Sequence, residues 1–113
     1  MFSMKIRWVK FAKDYQELDT IIGSRTIAPI TVDGKAILLV KNKGSFHLTK
    51  RKCPHQGFDL SKAECKEGFI VCPWHHYGFD LDTGRGAGLY LDIYPIEKQG
   101  DGIYAGFEYF SLF

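Results

Sequence analysis

The chain has no long hydrophobic run. Its longest apolar stretch, residues 36–40, is far below the roughly 20 residues that a membrane-spanning helix needs. The first ten residues carry Lys5, Arg7 and Lys10 among the apolar positions, so a signal peptide is not expected. Nor is there an excess of one charge: 15 Lys and Arg face 13 Asp and Glu, a balance of +2. That is too little to argue for nucleic acid or an anionic membrane as partner. Cysteine is scarce and odd in number, at Cys53, Cys65 and Cys72. A secreted disulfide scaffold wants an even set at regular spacing. Reduced thiols in a cytoplasm fit better, and they leave sulfur free for metal. With 113 residues the expectation is one domain over 1–113, with no room for a second catalytic unit.

What is abundant is glycine, 12 residues in a short chain, which implies many turns and many short strands. Loose alternation over residues 4–11 (Met4, Ile6, Trp8) reads as a first strand. Residues 13–19 have room for a single helical turn capped by Asp14, with Leu18 facing inward. Residues 25–32 are β-rich and end at Asp33-Gly34, a pair suited to a tight hairpin. The return strand, 35–41, contains Ile37-Leu38-Leu39-Val40, apolar enough for burial on both faces. Asn42-Lys43-Gly44 turns the chain into a strand at 45–49. Further strands are expected at 69–72, 77–81, 89–96 and 103–110. Seven or eight such strands, with turns about every ten residues, indicate an all-β antiparallel sandwich or barrel.

Periodicity fails in two places, and both hold metal-ligand chemistry. Residues 50–62 contain Cys53-Pro54-His55, and the stretch after residue 72 contains Cys72-Pro73-Trp74-His75. As spacing this is Cys-x-His, sixteen residues, then Cys-x-x-His. Thiolate sulfur and neutral imidazole nitrogen are ligands for zinc or iron. Each proline holds its preceding cysteine extended and removes a backbone donor, which stiffens the loop. A single zinc is one solution, although zinc sites more often pair Cys with Cys and His with His in sequence. One sulfur and one nitrogen from each loop suit a two-iron cluster, one iron taking both cysteines and the other both histidines.

At these residues the sequence resembles the Rieske-type ferredoxins, of the low-potential, oxygenase-associated kind. The pattern Cys-x-His-x-Gly-x-x-Leu is met by Cys53, His55, Gly57 and Leu60, and Cys-Pro-Trp-His by residues 72–75. Phe79, Thr83, Gly84, Leu91, Tyr94, Pro95 and Ile96 extend the match. The resemblance implies a Rieske fold with a small cluster-binding subdomain at about 50–84 and one [2Fe–2S] cluster. It assigns Cys53 and Cys72 to an inner iron, and His55 and His75 to an outer iron through Nδ1, ring edges facing solvent. It further implies a one-electron carrier, not an enzyme, between a flavin reductase and a terminal oxygenase. Two alternatives stay open: the small subunit of a nitrite-reductase-type complex, and a structural zinc module on the same four residues.

The sequence also departs from the high-potential members of that family, which join the two loops by a disulfide. The corresponding residues here are Phe58 and Trp74. Where those members place Ser and Tyr hydroxyls against the cluster sulfurs, this chain has Tyr77 and Phe79, so a potential in the lower half of the Rieske range is expected. Residues 85–88 lack the proline that often covers the cluster. Outside the motif, Cys65 reads as a small hydrophobe, His47 as a structural strand residue and His76 as a solvent-facing neighbour of His75. Trp74 has two readings, cluster shield and core filler. Lys50-Arg51-Lys52 reads as a solvated charge run, or as a docking patch for an acidic redox partner.

Overall fold

The computed structural model describes residues 3–111, so the ends of the expected 1–113 domain (1, 2, 112 and 113) lie outside the described residues. Strand β1 (Ser3–Ala12) leads into helix α1 (Tyr15–Ile22). The helix starts where the Asp14 carboxylate accepts the Glu17 N–H at 2.8 Å and ends where the Gly23 N–H returns to the Asp19 carbonyl. It is longer than the single turn expected over 13–19. Ile22 continues the inward face begun by Leu18, and both are fully buried. Strands β2 (Ile27–Val32), β3 (Lys35–Asn42) and β4 (Ser45–Lys50) then form an antiparallel meander. Its two turns carry left-handed pairs, Asp33-Gly34 at φ 53° and 76°, and Lys43-Gly44 at φ 51° and 80°.

A 3-10 turn (Leu60–Lys62) precedes a small sheet of β5 (Glu64–Lys66), β6 (Phe69–Val71) and β7 (Gly78–Asp80). Strands β8 (Arg85–Gly86) and β9 (Leu89–Tyr90) pair as a short ribbon. The chain then runs through β10 (Ile93–Tyr94), β11 (Ile96–Gln99) and β12 (Gly102–Ser111). One sheet has the order β1-β12-β11 and another β10-β4-β3-β2. Two expectations are corrected. β5 adds a strand to those expected, and the sequence gives little sign of it because two of its three residues are charged and only Cys65 supplies an apolar position. The single strand expected over 89–96 is three pieces that pair with β8, β4 and β12 in turn. Pro95 has no N–H to donate, and at that residue the chain passes from one sheet to the other.

Two cores result, and β3 feeds both. Ile37 and Leu39 join Leu18, Ile22, Leu48 and Phe107 between the helix and the two larger sheets. Leu38 and Val40, on the opposite face, join Ile70, Phe79, Leu81, Leu91, Cys53 and Cys72 under the small sheet. This period-2 split explains why the run 37–40 is apolar at every position, with none of its residues more than 1% exposed. Among the described residues no helix is long and apolar enough to cross a membrane.

The small sheet rests on a close backbone crossing. A Cβ built on Gly86 would lie 1.8 Å from the Gly78 carbonyl oxygen, on the strand that closes the second loop. Nothing lies within 4 Å of a Cβ built on Gly100. Gly86→Ala is therefore expected to destabilise by at least about 1–3 kcal/mol through overpacking, whereas Gly100→Ala changes stability by less than about 1 kcal/mol. Paired urea titrations of the two variants check the contrast.

Candidate functional site

The two motif segments are loops of equal length and parallel construction. Residues 53–58 lie between the bridge partners Lys52 and Asp59, and residues 72–77 between the paired residues Val71 and Gly78. Each loop begins with Cys-Pro. Each is closed by one bond in which the cysteine N–H donates to the carbonyl five residues on: Cys53 to Phe58 at 2.7 Å, Cys72 to Tyr77 at 2.8 Å. The first loop is closed further by the Gly57 N–H donating to the Cys53 carbonyl at 2.8 Å. The fifth position is left-handed in both, Gly57 at φ 75° and His76 at φ 59°. Asp59 anchors the exit of the first loop. Its carboxylate accepts from Arg51 Nη2 at 2.9 Å and from the Ser61 N–H at 2.8 Å. Those bonds, Arg51 first, hold its pKa well below the ordinary carboxylate value.

All four expected ligand residues meet at these loops. Cys53 and Cys72 are 2% and 1% exposed, belong to the second core, and lie beside each other there. Burial pushes the Cys72 thiol up, and the adjacent Cys53 adds to the rise, while the Trp74 N–H directed at its sulfur opposes it. Such a thiol ionises when positive charge arrives beside it. His55 and His75 lie at the rim, ring centroids 5.3 Å apart and nearly perpendicular at 74°. His55 is partly buried and His75 exposed. Among the described residues no hydrogen bond occupies a nitrogen of either ring. The donors are thus two pairs, sulfurs beneath and nitrogens above. Among the described residues no three His, Cys, Asp or Glu side chains gather closely enough to hold a single ion. Two sulfurs and two imidazole nitrogens, paired by kind, have the donor chemistry of a two-metal group.

Rings fill the space between the loops. Phe58 stacks on Trp74 at 4.8 Å and 17°, and Tyr77 meets His55 edge-on at 4.5 Å and 83°. Trp74 is 48% exposed, so the core-filling reading is corrected: its indole lies over the loops, outside both apolar cores. Phe79, by contrast, is fully buried. Cys65 is a half-buried free thiol against the second core, with its pKa raised by burial. His47 sits in β4 with Nδ1 3.9 Å from Asp82, and His76 is exposed. The basic run is divided, since Arg51 is committed to Asp59. Lys50 and Lys52 have no ion-pair partner among the described residues, and both line a cavity of about 270 Å³ beside Cys53 and Pro54.

Motif spacing does not reveal the groups that close the loops, the carbonyls of Phe58 and Tyr77 and the Trp74 N–H. The available signal was the matched length: six residues from each cysteine to an aromatic residue.

Comparison with known proteins agrees with this geometry. Residues 8–89 match the family model described as the Rieske [2Fe-2S] domain. The chain is 46% identical over 48 residues to Apoptosis-inducing factor 3 of Mus musculus, covering 42% of this chain but 8% of that protein. It is 33% identical over 76 residues to the ferredoxin component of the alkene monooxygenase system of Xanthobacter autotrophicus, covering 64% of this chain and 62% of that protein. Its fold matches a chain in the solved complex of reduced oxygenase and oxidized ferredoxin in carbazole 1,9a-dioxygenase. There the TM-score is 0.66 at 21% identity, over 87% of this chain and 91% of that one.

The left-handed fifth position generates a prediction. A side chain there is disfavoured by roughly 1–2 kcal/mol, which glycine avoids. His76→Gly is expected to raise the unfolding free energy by about 0.5–1 kcal/mol, and Gly57→Ala to lower it by a similar amount or more; chemical denaturation measures both.

Proposed function

Because the chain belongs to the Rieske [2Fe-2S] domain family, we propose that Cys53, His55, Cys72 and His75 hold its one [2Fe–2S] cluster, and that the protein is a one-electron carrier. In this reading it takes electrons from a flavin reductase, delivers them to a terminal oxygenase and performs no catalysis itself. One observation carries the reading: two neighbouring, buried thiols beside two imidazoles at an open rim. The ferredoxin component of an alkene monooxygenase system among its relatives supports the choice of pathway. We take 1–113 as one domain with its cluster-binding subdomain at about 50–84, located in the cytoplasm; three unpaired thiols support that location.

When bound, the cluster supplies a reversible one-electron couple. The protein's part is to hold the donors still. Pro54 and Pro73 fix the backbone after each cysteine, and the bonds from Cys53 to Phe58 and from Cys72 to Tyr77 keep each loop closed. Little rearrangement is then needed between oxidation states. The apolar second core excludes water from the sulfur side, while exposed His75 brings the imidazole rim to the surface. Lys50 and Lys52 flank the first loop with unbalanced positive charge, suited to a partner surface rich in carboxylates.

Anaerobically purified protein is expected to contain iron and acid-labile sulfide in equal amounts. Reduction should produce an electron paramagnetic resonance signal, and the midpoint should fall in the lower half of the roughly −150 to +300 mV Rieske span. Colourless protein containing zinc, or a midpoint well above zero, would contradict the reading. Reversal of Lys50 and Lys52 to Glu is expected to slow electron delivery to the oxygenase about tenfold at low salt. The gap should narrow as ionic strength rises, and stopped-flow rates across a salt series measure it.

A further inference from the structure

Each loop is closed by its own backbone bond, but those bonds do not hold one loop against the other. Their cysteines are free thiols rather than a disulfide, and the thiol contact lies at the buried base of the site. Besides the contact between the two imidazoles, what joins the loops at their exposed ends is a pair of ring contacts, and the pair is reciprocal. The sixth residue of the first loop, Phe58, stacks on the third residue of the second, Trp74. The sixth residue of the second loop, Tyr77, packs on the third residue of the first, His55. Both sixth residues also accept the N–H of their own loop's cysteine, so each ring-bearing residue is tied through one backbone hydrogen bond to a thiol-bearing residue.

We propose that Phe58 and Tyr77 are positioning residues that form a reciprocal aromatic clasp, fixing the spacing of the two ligand loops and the orientation of His55. The contacts differ in geometry as their tasks differ. The Phe58–Trp74 pair is nearly parallel at 17°, a face-to-face overlap that sets a separation. The Tyr77–His55 pair is nearly perpendicular at 83°, and an edge against a face restrains ring rotation. Trp74 also contacts His75 at 5.2 Å, so the clasp reaches both imidazoles. The Tyr77 hydroxyl donates no hydrogen bond among the described residues, and Tyr77→Phe separates its part from that of the ring. A surface aromatic pair serving only to dock a partner would affect transfer rates, leaving the isolated protein's cluster retention and potential unchanged.

The clasp rests on the ligand reading above, and one experiment separates the two. In holoprotein, loss of the visible absorption under excess chelator is timed alongside the midpoint potential and the paramagnetic resonance line shape. Phe58→Leu and Tyr77→Leu are expected to lose the cluster about threefold to tenfold faster, as for removal of one ring pair. Tyr77→Leu should also alter the line shape, because it frees His55. Phe58→Tyr and Tyr77→Phe, which keep the rings, should match the wild type. Should the leucine variants fail to fold, Trp74→Leu against Trp74→Phe gives the same test at a residue outside both cores. Leucine variants with wild-type retention, potential and line shape would overturn the clasp alone. Wild-type protein without iron and sulfide would overturn the ligand reading instead.

Discussion

Two thiols pressed together in an apolar pocket, once ionised, have neither solvent nor counter-charge to stabilise them. In this protein Cys72 occupies that position with Cys53 beside it, and burial pushes the Cys72 pKa up. Much of the surrounding structure serves to bring them there from sequence positions nineteen residues apart. The loop-closing bonds, the prolines and the Arg51–Asp59 brace position each cysteine along its own loop. The second core then sets the depth of both. The pocket is unfavourable for thiolate alone and becomes favourable when metal charge occupies it, so fold and cofactor are thermodynamically coupled.

The division into two cores separates stability from function. The first core, built on α1 and the inner faces of the larger sheets, contains none of the four ligand residues. The second consists largely of side chains beneath the loops. β3 is the common wall, so the loops are supported by a strand that is itself buried on both sides. This places the two cysteines and two histidines on a stiff base.

Much of this was legible in the residues. The two loops and the meeting of Cys53, His55, Cys72 and His75 at them followed from spacing and proline placement, and the two-sided burial of Ile37 to Val40 followed from an apolar run without alternation. The Asp14 cap and the Asp33-Gly34 turn were readable because their chemistry is local. What the sequence concealed was long-range or carried by backbone. β5 has two charged residues in three and is a strand because β6 supplies its ladder. The break at Pro95 depends on which sheet each half of the segment reaches. Trp74 was ambiguous because an indole suits either side of a loop, and its exposure and its stack on Phe58 decide between them. The six-residue match between the loops was present in the sequence, but its meaning required the closing bonds.

The linkage between the loops consists of rings, and that has a consequence for where the protein can work. A cystine bridge in the same position would be subject to thiol–disulfide exchange, and its state would follow the glutathione poise of the compartment. Stacked carbon frameworks have no such equilibrium. The grip between Phe58 and Trp74 is therefore chemically indifferent to ambient reductants and does not require an oxidative maturation step.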